Sequence, residues 1–291
     1  MPEAKTTPLS TRLWRRGRTA CLFAAQAAGW RDRPGLILAG IARQRPFAGS
    51  SAYARIGRLL GREVAVHVRG AGRIRLRLDL LSDLMIFEEL FIERIYPLEC
   101  VPFVPTVIVD AGAYTGQFTL LAHTAFPMAR LVVAEPEPGN HQRLLQCLGE
   151  NGVSAACHAA AVWVRAGTIA FRGSGFGGHV ADRGETATVE VVAVPLAHLL
   201  ADLGADRLLL KMDIEGAERE VLPSAVPLFP AQTALFLETH HPEQECRGFL
   251  APLLAAGFTD HVIRRRPAPP PAGEYVERLL LRPGPGTPTP G

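Results

Sequence analysis

Three apolar runs in this chain, TVIVD, RLVVAE and RLLLKMD, each end on an acidic residue, with stretches of helical periodicity between them. Three consecutive Val, Ile or Leu residues in each run suit a strand covered on both faces, and such strands belong to parallel sheets flanked by helices. From about Val104 the chain reads as strands at 106–110, 131–135, 155–159, 207–213 and 233–239, with helices between. GTIAFRG and TVEVVAV read as further strands or a hairpin. FTDHVIRRR and EYVERLLLRP read as an antiparallel pair separated by PAPPPAG. The expected fold class is α/β: a doubly wound, mostly parallel, Rossmann-like sheet with helices on both faces and an antiparallel C-terminal strand.

An N-terminal helical and hairpin extension precedes this sheet. Residues 1–60 read as Arg-rich helices broken near Pro34 and Pro46. EVAVHVRGAGRIRLRLDL then alternates on a period of two: Val64, Val66 and Val68, a turn at Gly70-Ala71-Gly72, then Ile74, Leu76 and Leu78. Arg73, Arg75 and Arg77 lie on the opposite side, so the hairpin has one apolar and one basic face. DLMIFEELFIERIY follows with helical spacing. The boundaries read from these textures are 1–78 for the extension, 79–282 for the sheet domain and 283–291 for a Pro/Gly tail disordered by composition.

Composition narrows the classes. A formal net charge of +3 does not by itself imply nucleic acid, but arginine crowds residues 11–77 while most acids come later, a pattern of a solvated face or of an anionic partner or membrane surface. Cys21, Cys100, Cys147, Cys157 and Cys246 are scattered, odd in number and lack a CxxC pair, which argues against a disulfide framework or zinc site and for a reducing cytoplasmic setting. RLWRRGRTACLFAAQAAGW has the texture of a secretory signal, but its apolar part is short, carries Gln26 and runs into RDRP, so it reads as an amphipathic helix. No transmembrane segment is expected, since no stretch reaches the ~20 apolar residues a span requires.

The loop VIVDAGAYTGQF carries the first chemical information. A dinucleotide turn needs a glycine where Tyr114 stands, so that backbone amides approach a pyrophosphate. Tyr114 obstructs that approach and Asp110 repels it. A phosphate-free ligand with a cationic end, S-adenosyl-L-methionine, fits instead, bound by Asp110, Gly112, Tyr114, Thr115 and Gly116. Glu135 closes the next strand and is placed to accept both ribose hydroxyls, with Pro136 beside it.

LLLKMDIEGAEREVL supplies the third strand end. Alternation sets Lys211 and Asp213 on one side, with Glu215 and Glu218 in the first turn of a helix beginning at Asp213. Such a helix also accounts blandly for these acids, as an N-cap and as complements of the helix dipole. Yet Asp110, Glu135 and Asp213 all stand at strand carboxyl ends, where open α/β sheets bind ligands.

SDLMIFEELF, VDAGAYTGQFTLL, AEPEPGNHQRL, AAVWVRAG, LLLKMDIEGAEREVL and LFLETHH, in this order over Asp83 to His241, make the chain resemble the FkbM-type methyltransferases; Lys211 to Glu218 is the most distinctive element. The resemblance implies S-adenosylmethionine-dependent O-methylation of a hydroxyl on a sugar, glycan or polyketide-like natural product, a small-molecule or glycan partner. Members often carry an acid after the third strand that meets the adenine amine. Here Val164 and Arg165 stand there, so the adenine contact is assigned to Ala160 and Ala161.

A hydroxyl is a weak nucleophile at neutral pH, and a base accelerates its attack by ~10²–10⁴-fold. The candidates are Asp213, Glu215, Glu238, His240, His241 and His179, with Asp213 and His240 favoured as the active pair and Glu238 on the same strand face as His240. Asp213, Glu238 and His240 also suit magnesium or manganese by residue type, but no short-range spacing supports a metal and none is predicted. GSGFGGHVADRGE reads as a mobile loop or a lid carrying His179. The competing classes are a non-catalytic protein that keeps the fold and a nucleic-acid methyltransferase. No nucleic acid is expected: MDIEG replaces the Asn/Asp-Pro-Pro-Tyr turn of base amino methylation, and the basic region has few aromatic platforms. A homo-oligomer is left open.

Overall fold

The computed structural model describes residues 18–43, 64–68, 72–78, 80–173, 178–180, 189–201, 204, 206–268 and 273–284. The chain divides into two compact units, 1–94 and 95–291. The expected break at Pro46, the turn residues 70–71, much of the glycine-rich loop, the proline run and the tail from 285 lie outside the described residues.

In the first unit, a helical stretch at 18–25 leads to α1 (Arg33–Ala42). Pro34 does not break a helix; it sits in the first turn of α1, where its missing N–H costs nothing. The interruption falls earlier, at 26–32, because those residues are drawn into backbone pairing. Ala28 N donates to Ala65 O, His67 N donates to Gln26 O, and Asp32 Oδ1 accepts from Ala65 N at 3.0 Å. β1 (Val64–Val68) and β2 (Gly72–Leu76) form the antiparallel hairpin, with Val64 opposite Leu76 and Val66 opposite Ile74. Val64, Val66, Ile74, Leu76 and Leu78 are buried while Arg73 and Arg75 are exposed, as the alternation requires. α2 (Leu81–Phe87) continues into a π-helical turn, Glu88–Glu93, and ends at Arg94 in the left-handed region. It belongs to the same unit, since Phe87 packs between Phe23 and Phe91, with ring centroids 4.9 and 5.0 Å away.

The second unit is built on seven strands in the order β12-β13-β11-β10-β3-β4-β5. These are β3 (Val107–Ala111), β4 (Arg130–Ala134), β5 (Ala156–His158), β10 (Arg207–Met212), β11 (Gln232–Thr239), β12 (Thr259–Pro267) and β13 (Glu274–Arg282). β5, β4, β3, β10 and β11 run parallel, and β13 is antiparallel to both of its neighbours. A smaller sheet, β6-β9-β7-β8, combines β6 (Ala161–Trp163), β7 (Gly167–Arg172), β8 (His179–Val180) and β9 (Val189–Pro195). The expected strands therefore form, and the sheet is Rossmann-like.

Both faces of the main sheet are covered, which is why its strands tolerate unbroken apolar sequence. One face sets Val107, Val109, Leu208, Leu210, Leu235 and Leu237 against α5 (Leu196–Leu200), α6 (Glu218–Ala225) and α7 (Glu243–Ala255). On the alternate residues, Phe236 meets Tyr96 and Phe118, the latter on α3 (Gln117–Ala125). Asp110 and Lys211 occupy this second set of positions and are paired in register. Between β4 and β5 runs α4 (Pro138–Glu150), whose first turn is capped by Glu137 accepting from Asn140 N. β3 connects onward to β4 on one side and has β10 on the other, so their carboxyl ends flank a topological switch point.

Candidate active site

The glycine loop leaves β3 and turns back under tight constraint. Gly112 N and Ala113 N both donate to Ala134 O, and Asp213 N donates to Ala111 O. Gly112 has φ +77°, and a Cβ there would overlap the carbonyl oxygen of Asp213, so only glycine lets the β3 and β10 loops approach this closely. Gly116, at φ +84°, caps α3. Tyr114 is a non-glycine residue at φ +51°, a conformation that costs on the order of 1 kcal/mol. Its N–H donates to Glu135 Oε2 at 2.8 Å, which offsets that strain. Its side chain is buried, and Arg143 Nη1 donates to its hydroxyl at 3.4 Å.

Glu135 stands at the end of β4 and gathers three donors: Tyr114 N, Glu137 N at 3.0 Å and Asn140 Nδ2 at 3.3 Å. Burial pushes its carboxyl up to about 7 even against the hydrogen bonds from Glu137, Tyr114 and Asn140. Pro136 is half-buried and Thr115, Ala160 and Ala161 are buried.

Asp110 turns into the protein. Its Oδ2 accepts from Thr119 Oγ1 at 2.5 Å, and its Oδ1 lies 3.6 Å from Lys211 Nζ. Lys211 also donates to Gly112 O at 2.6 Å and lies 3.6 Å from Asp213 Oδ2. Burial raises the Asp110 carboxyl above its ordinary value, with Lys211 and the Thr119 hydroxyl opposing. For Lys211, burial works downward, but Asp213 and Asp110 outweigh it and the ammonium is held above its ordinary value. Lys211 thus links the glycine loop to the β10 end by charge and by hydrogen bond.

The helix after β10 does not begin at Asp213. Residues 215–217 form a turn with Glu215 at φ +53°, a left-handed conformation incompatible with a helical first turn, and α6 starts at Glu218. The buried Glu218 carboxylate serves this turn instead. Its Oε1 accepts from Ile214 N at 3.1 Å and Gly216 N at 3.2 Å. The Asp213 side chain is left to face the strand ends, with its Oδ1 buried and without a hydrogen-bond partner among the described residues.

His240 is the hub of the cluster. Its Nδ1 lies 3.2 Å from Glu218 Oε1; its Nε2 lies 3.4 Å from both Glu238 Oε1 and Glu215 Oε2, and 3.8 Å from Asp213 Oδ1. Its ring packs on Tyr275 at 4.9 Å. Burial alone would lower its pKa, but Glu218, then Glu238 and Glu215, drive it well above 6.5. Burial foremost pushes Glu215 up to about 7 against the pull of His240. Burial and the like charge of Asp213 raise Glu238 also, with His240 and Arg266 opposing. Arg266 reaches in from β12: it donates to Glu238 Oε1 and, at 3.0 Å, to Glu277 Oε1, and its guanidinium lies 4.8 Å from the Tyr275 ring centroid.

The folded state therefore holds the His240 proton more tightly than the unfolded chain does. That stability is complete below about pH 6.5 and is lost as pH rises through the raised folded-state value. Glu215 acts in the same sense at lower pH, its contribution fading between 4.5 and about 7. Thermal melts across neutral and alkaline pH are expected to fall more steeply for the parent protein than for His240→Gln.

Ligand atoms of Asp213, Glu238 and His240 lie within 4.8 Å of one another, the spacing of a metal cluster. A divalent ion there would have to displace Arg266 from Glu238 and strip the proton from His240, and Lys211 already compensates Asp213. The donor set fits a metal poorly.

The structure brings Asp213, Glu238 and His240 together and adds Glu215. Two other candidates stand apart: His241 Nε2 hydrogen-bonds Gly216 O at 2.8 Å, while His179 lies in β8, paired with Arg172. The bridging role of Lys211 and the turn-holding role of Glu218 are not separable in the sequence, where both fall within the one distinctive element KMDIEGAE. Arg266 and Tyr275 carry no local signal, because their placement depends on how β12 and β13 register.

A parallel sheet with a glycine turn at the switch point and carboxylates at the strand ends defines a Rossmann-like methyltransferase fold. The model of the methyltransferase FkbM domain matches residues 110–263, more than half of the chain, and the protein belongs to that family. Among solved structures, it is similar to a methyltransferase FkbM from Methylobacillus flagellatus, at 13% identity and TM-score 0.45, covering 93% of this chain and 60% of that one. It is also similar to TYW2 from M. jannaschii, solved in complex with AdoMet, at 12% identity and TM-score 0.41, covering 75% and 84% respectively. The chain thus spans about 60% of the length of the first of these. Comparison with curated protein sequences found no match.

Proposed function

We propose that the protein is an S-adenosylmethionine-dependent O-methyltransferase acting on a hydroxyl of a sugar, glycan or polyketide-like acceptor, in the cytoplasm. The observation that carries this reading is the carboxylate ring around His240 at the ends of β10 and β11, with the glycine loop at the end of the neighbouring β3 and Glu135 at the end of β4 beyond it.

The fit to the cofactor rests on the same loop. The turn at Gly112 and Gly116 presents no glycine at Tyr114 for a pyrophosphate to approach, and Glu135 Oε2, which accepts only from Tyr114 N among the described residues, keeps one further lone pair for a ribose hydroxyl. Gly112, Tyr114, Thr115, Gly116, Glu135 and Pro136 would hold the nucleoside and methionine ends, with Ala160 and Ala161 toward the adenine. Asp110 supports this loop through Lys211 and Thr119 rather than by contact. When bound, S-adenosylmethionine supplies an electrophilic methyl group on its sulfonium.

The residues around His240 handle the acceptor's proton. Asp213 Oδ1, buried and without a hydrogen-bond donor among the described residues, offers the acceptor hydroxyl a hydrogen-bond acceptor. Glu215, with a carboxyl near 7, has a proton affinity matched to neutral pH and is the better final base. His240 stays protonated, fixed by Glu218, and keeps Asp213, Glu215 and Glu238 converged despite their like charge. Glu238, tied to Arg266, is a positioning residue.

Calorimetry with S-adenosylmethionine and S-adenosylhomocysteine, followed by mass spectrometry of a panel of sugar and polyketide hydroxyl acceptors, tests the reading. Methylated product should form at a rate that rises as pH passes through about 7 and Glu215 loses its proton. Glu215→Gln should flatten that rise. Cofactor binding without transfer to any acceptor would favour a non-catalytic role.

A further inference from the structure

Among the described residues, the first unit leaves an apolar stripe uncovered. α1 buries Leu36, Ala39, Gly40 and Ala42 on one side. Pro34, Ile37, Leu38 and Ile41, spaced i, i+3, i+4, i+7, form the other and are exposed, the last three at 40%, 39% and 39%. Trp30, three residues before the helix, is 75% exposed, and the Arg31 guanidinium lies 5.4 Å from its ring centroid. Arg31, Arg33, Arg73 and Arg75 are exposed in the same unit. Over residues 11–77 the sequence holds 15 arginines, no lysine and only Asp32 and Glu63 as acids.

We propose that the α1 face of this unit docks on an anionic lipid surface, with Trp30, Ile37, Leu38 and Ile41 entering the headgroup boundary and Arg31 and Arg33, around the start of the same helix, meeting lipid phosphates. Charge complementarity selects this occupant. A nucleic acid would match the arginines but leave the apolar stripe in water. A second copy would cover the stripe but set this arginine-rich unit against its own like charge across a two-fold interface. An anionic bilayer satisfies both features, and an exposed Trp with arginine neighbours is the residue pairing that interfaces favour. The helix needs no polar face of its own, because its opposite side is already packed on the unit. The longest apolar run here is far below spanning length, and no described helix is long and apolar enough to cross a membrane. The contact is therefore peripheral, and it is independent of the methyl-transfer reading.

Co-sedimentation of the full chain with vesicles tests it. Binding is expected to phosphatidylcholine vesicles containing phosphatidylglycerol, to be weak on phosphatidylcholine alone, and to fall as salt screens the arginines. Leu38→Glu/Ile41→Glu should weaken binding by about tenfold or more. Trp30→Ala, at a site that packs on little, should weaken it in the same direction with circular dichroism and thermal melting unchanged. Three outcomes overturn the proposal: no binding to anionic vesicles; equal binding by both folded variants, which would leave only nonspecific attraction to arginine; or a dimer in sedimentation velocity that Leu38→Glu/Ile41→Glu dissolves, which would assign the face to a second copy.

Discussion

Lys211→Met is expected to destabilise the second unit by about 3–5 kcal/mol, the range found when one partner of a buried ion pair is removed. The Lys211 side chain is only 7% exposed and the Asp110 side chain 1%, so neither charge can turn to water. Without the ammonium, Asp110 keeps a single neutral donor, Thr119, and Gly112 O loses its hydrogen bond. The melting temperature should drop by about 6–20 °C, taking about 2–4 °C per kcal/mol for a unit of this size. Adding Asp110→Asn to Lys211→Met should restore much of the loss, because the amide carries no uncompensated charge. A double-mutant cycle in thermal or urea denaturation reads this coupling directly. A loss under about 1 kcal/mol for Lys211→Met would show that the pair does not hold β3 and β10 together.

Glu135→Ala should weaken S-adenosylmethionine binding by about tenfold to a hundredfold. A hydrogen bond to a charged group contributes about 1.5–3 kcal/mol, and the one lone pair that Glu135 keeps free is at stake. Tyr114 adds to the effect, since its left-handed backbone is offset by the N–H bond to Glu135. Glu135→Gln separates the two contributions: it keeps one acceptor oxygen and should fall between the parent and the alanine variant. Because hydroxyls donate best to the ionised carboxylate, affinity should tighten as pH rises through about 7, where Glu135 gives up its proton. Calorimetry at several pH values checks both statements. An unchanged dissociation constant in Glu135→Ala would remove Glu135 from the cofactor site.

These two residues differ in how far sequence could take them. The place of Glu135 at a strand end was readable because it follows an apolar run, and open α/β sheets bind ligands outside such ends. Lys211 was readable as a neighbour of Asp213 by alternation, but its pairing with Asp110 depends on β3 lying beside β10, contributed by a segment about a hundred residues away. Asp110 illustrates what register adds. Read alone, it repels phosphate and attracts a cationic ligand; in the folded chain its charge is spent on Lys211 and Thr119. The surroundings of His240 depend on register for the same reason. An isolated histidine near neutrality reads as a base, whereas four surrounding carboxylates make it a cation that organises them.

Local pattern by itself determined the α/β class, the parallel strands, the hairpin of the extension and the acids at the strand ends, because burial on one or two faces imprints a period that survives without long-range information. Only the tertiary structure decided which charges neutralise one another, where Glu218 and Arg266 act, and which helix face stays bare. Those outcomes depend on strand order and register, which join residues far apart in sequence, and electrostatic energies change steeply over the few ångströms that such pairing sets.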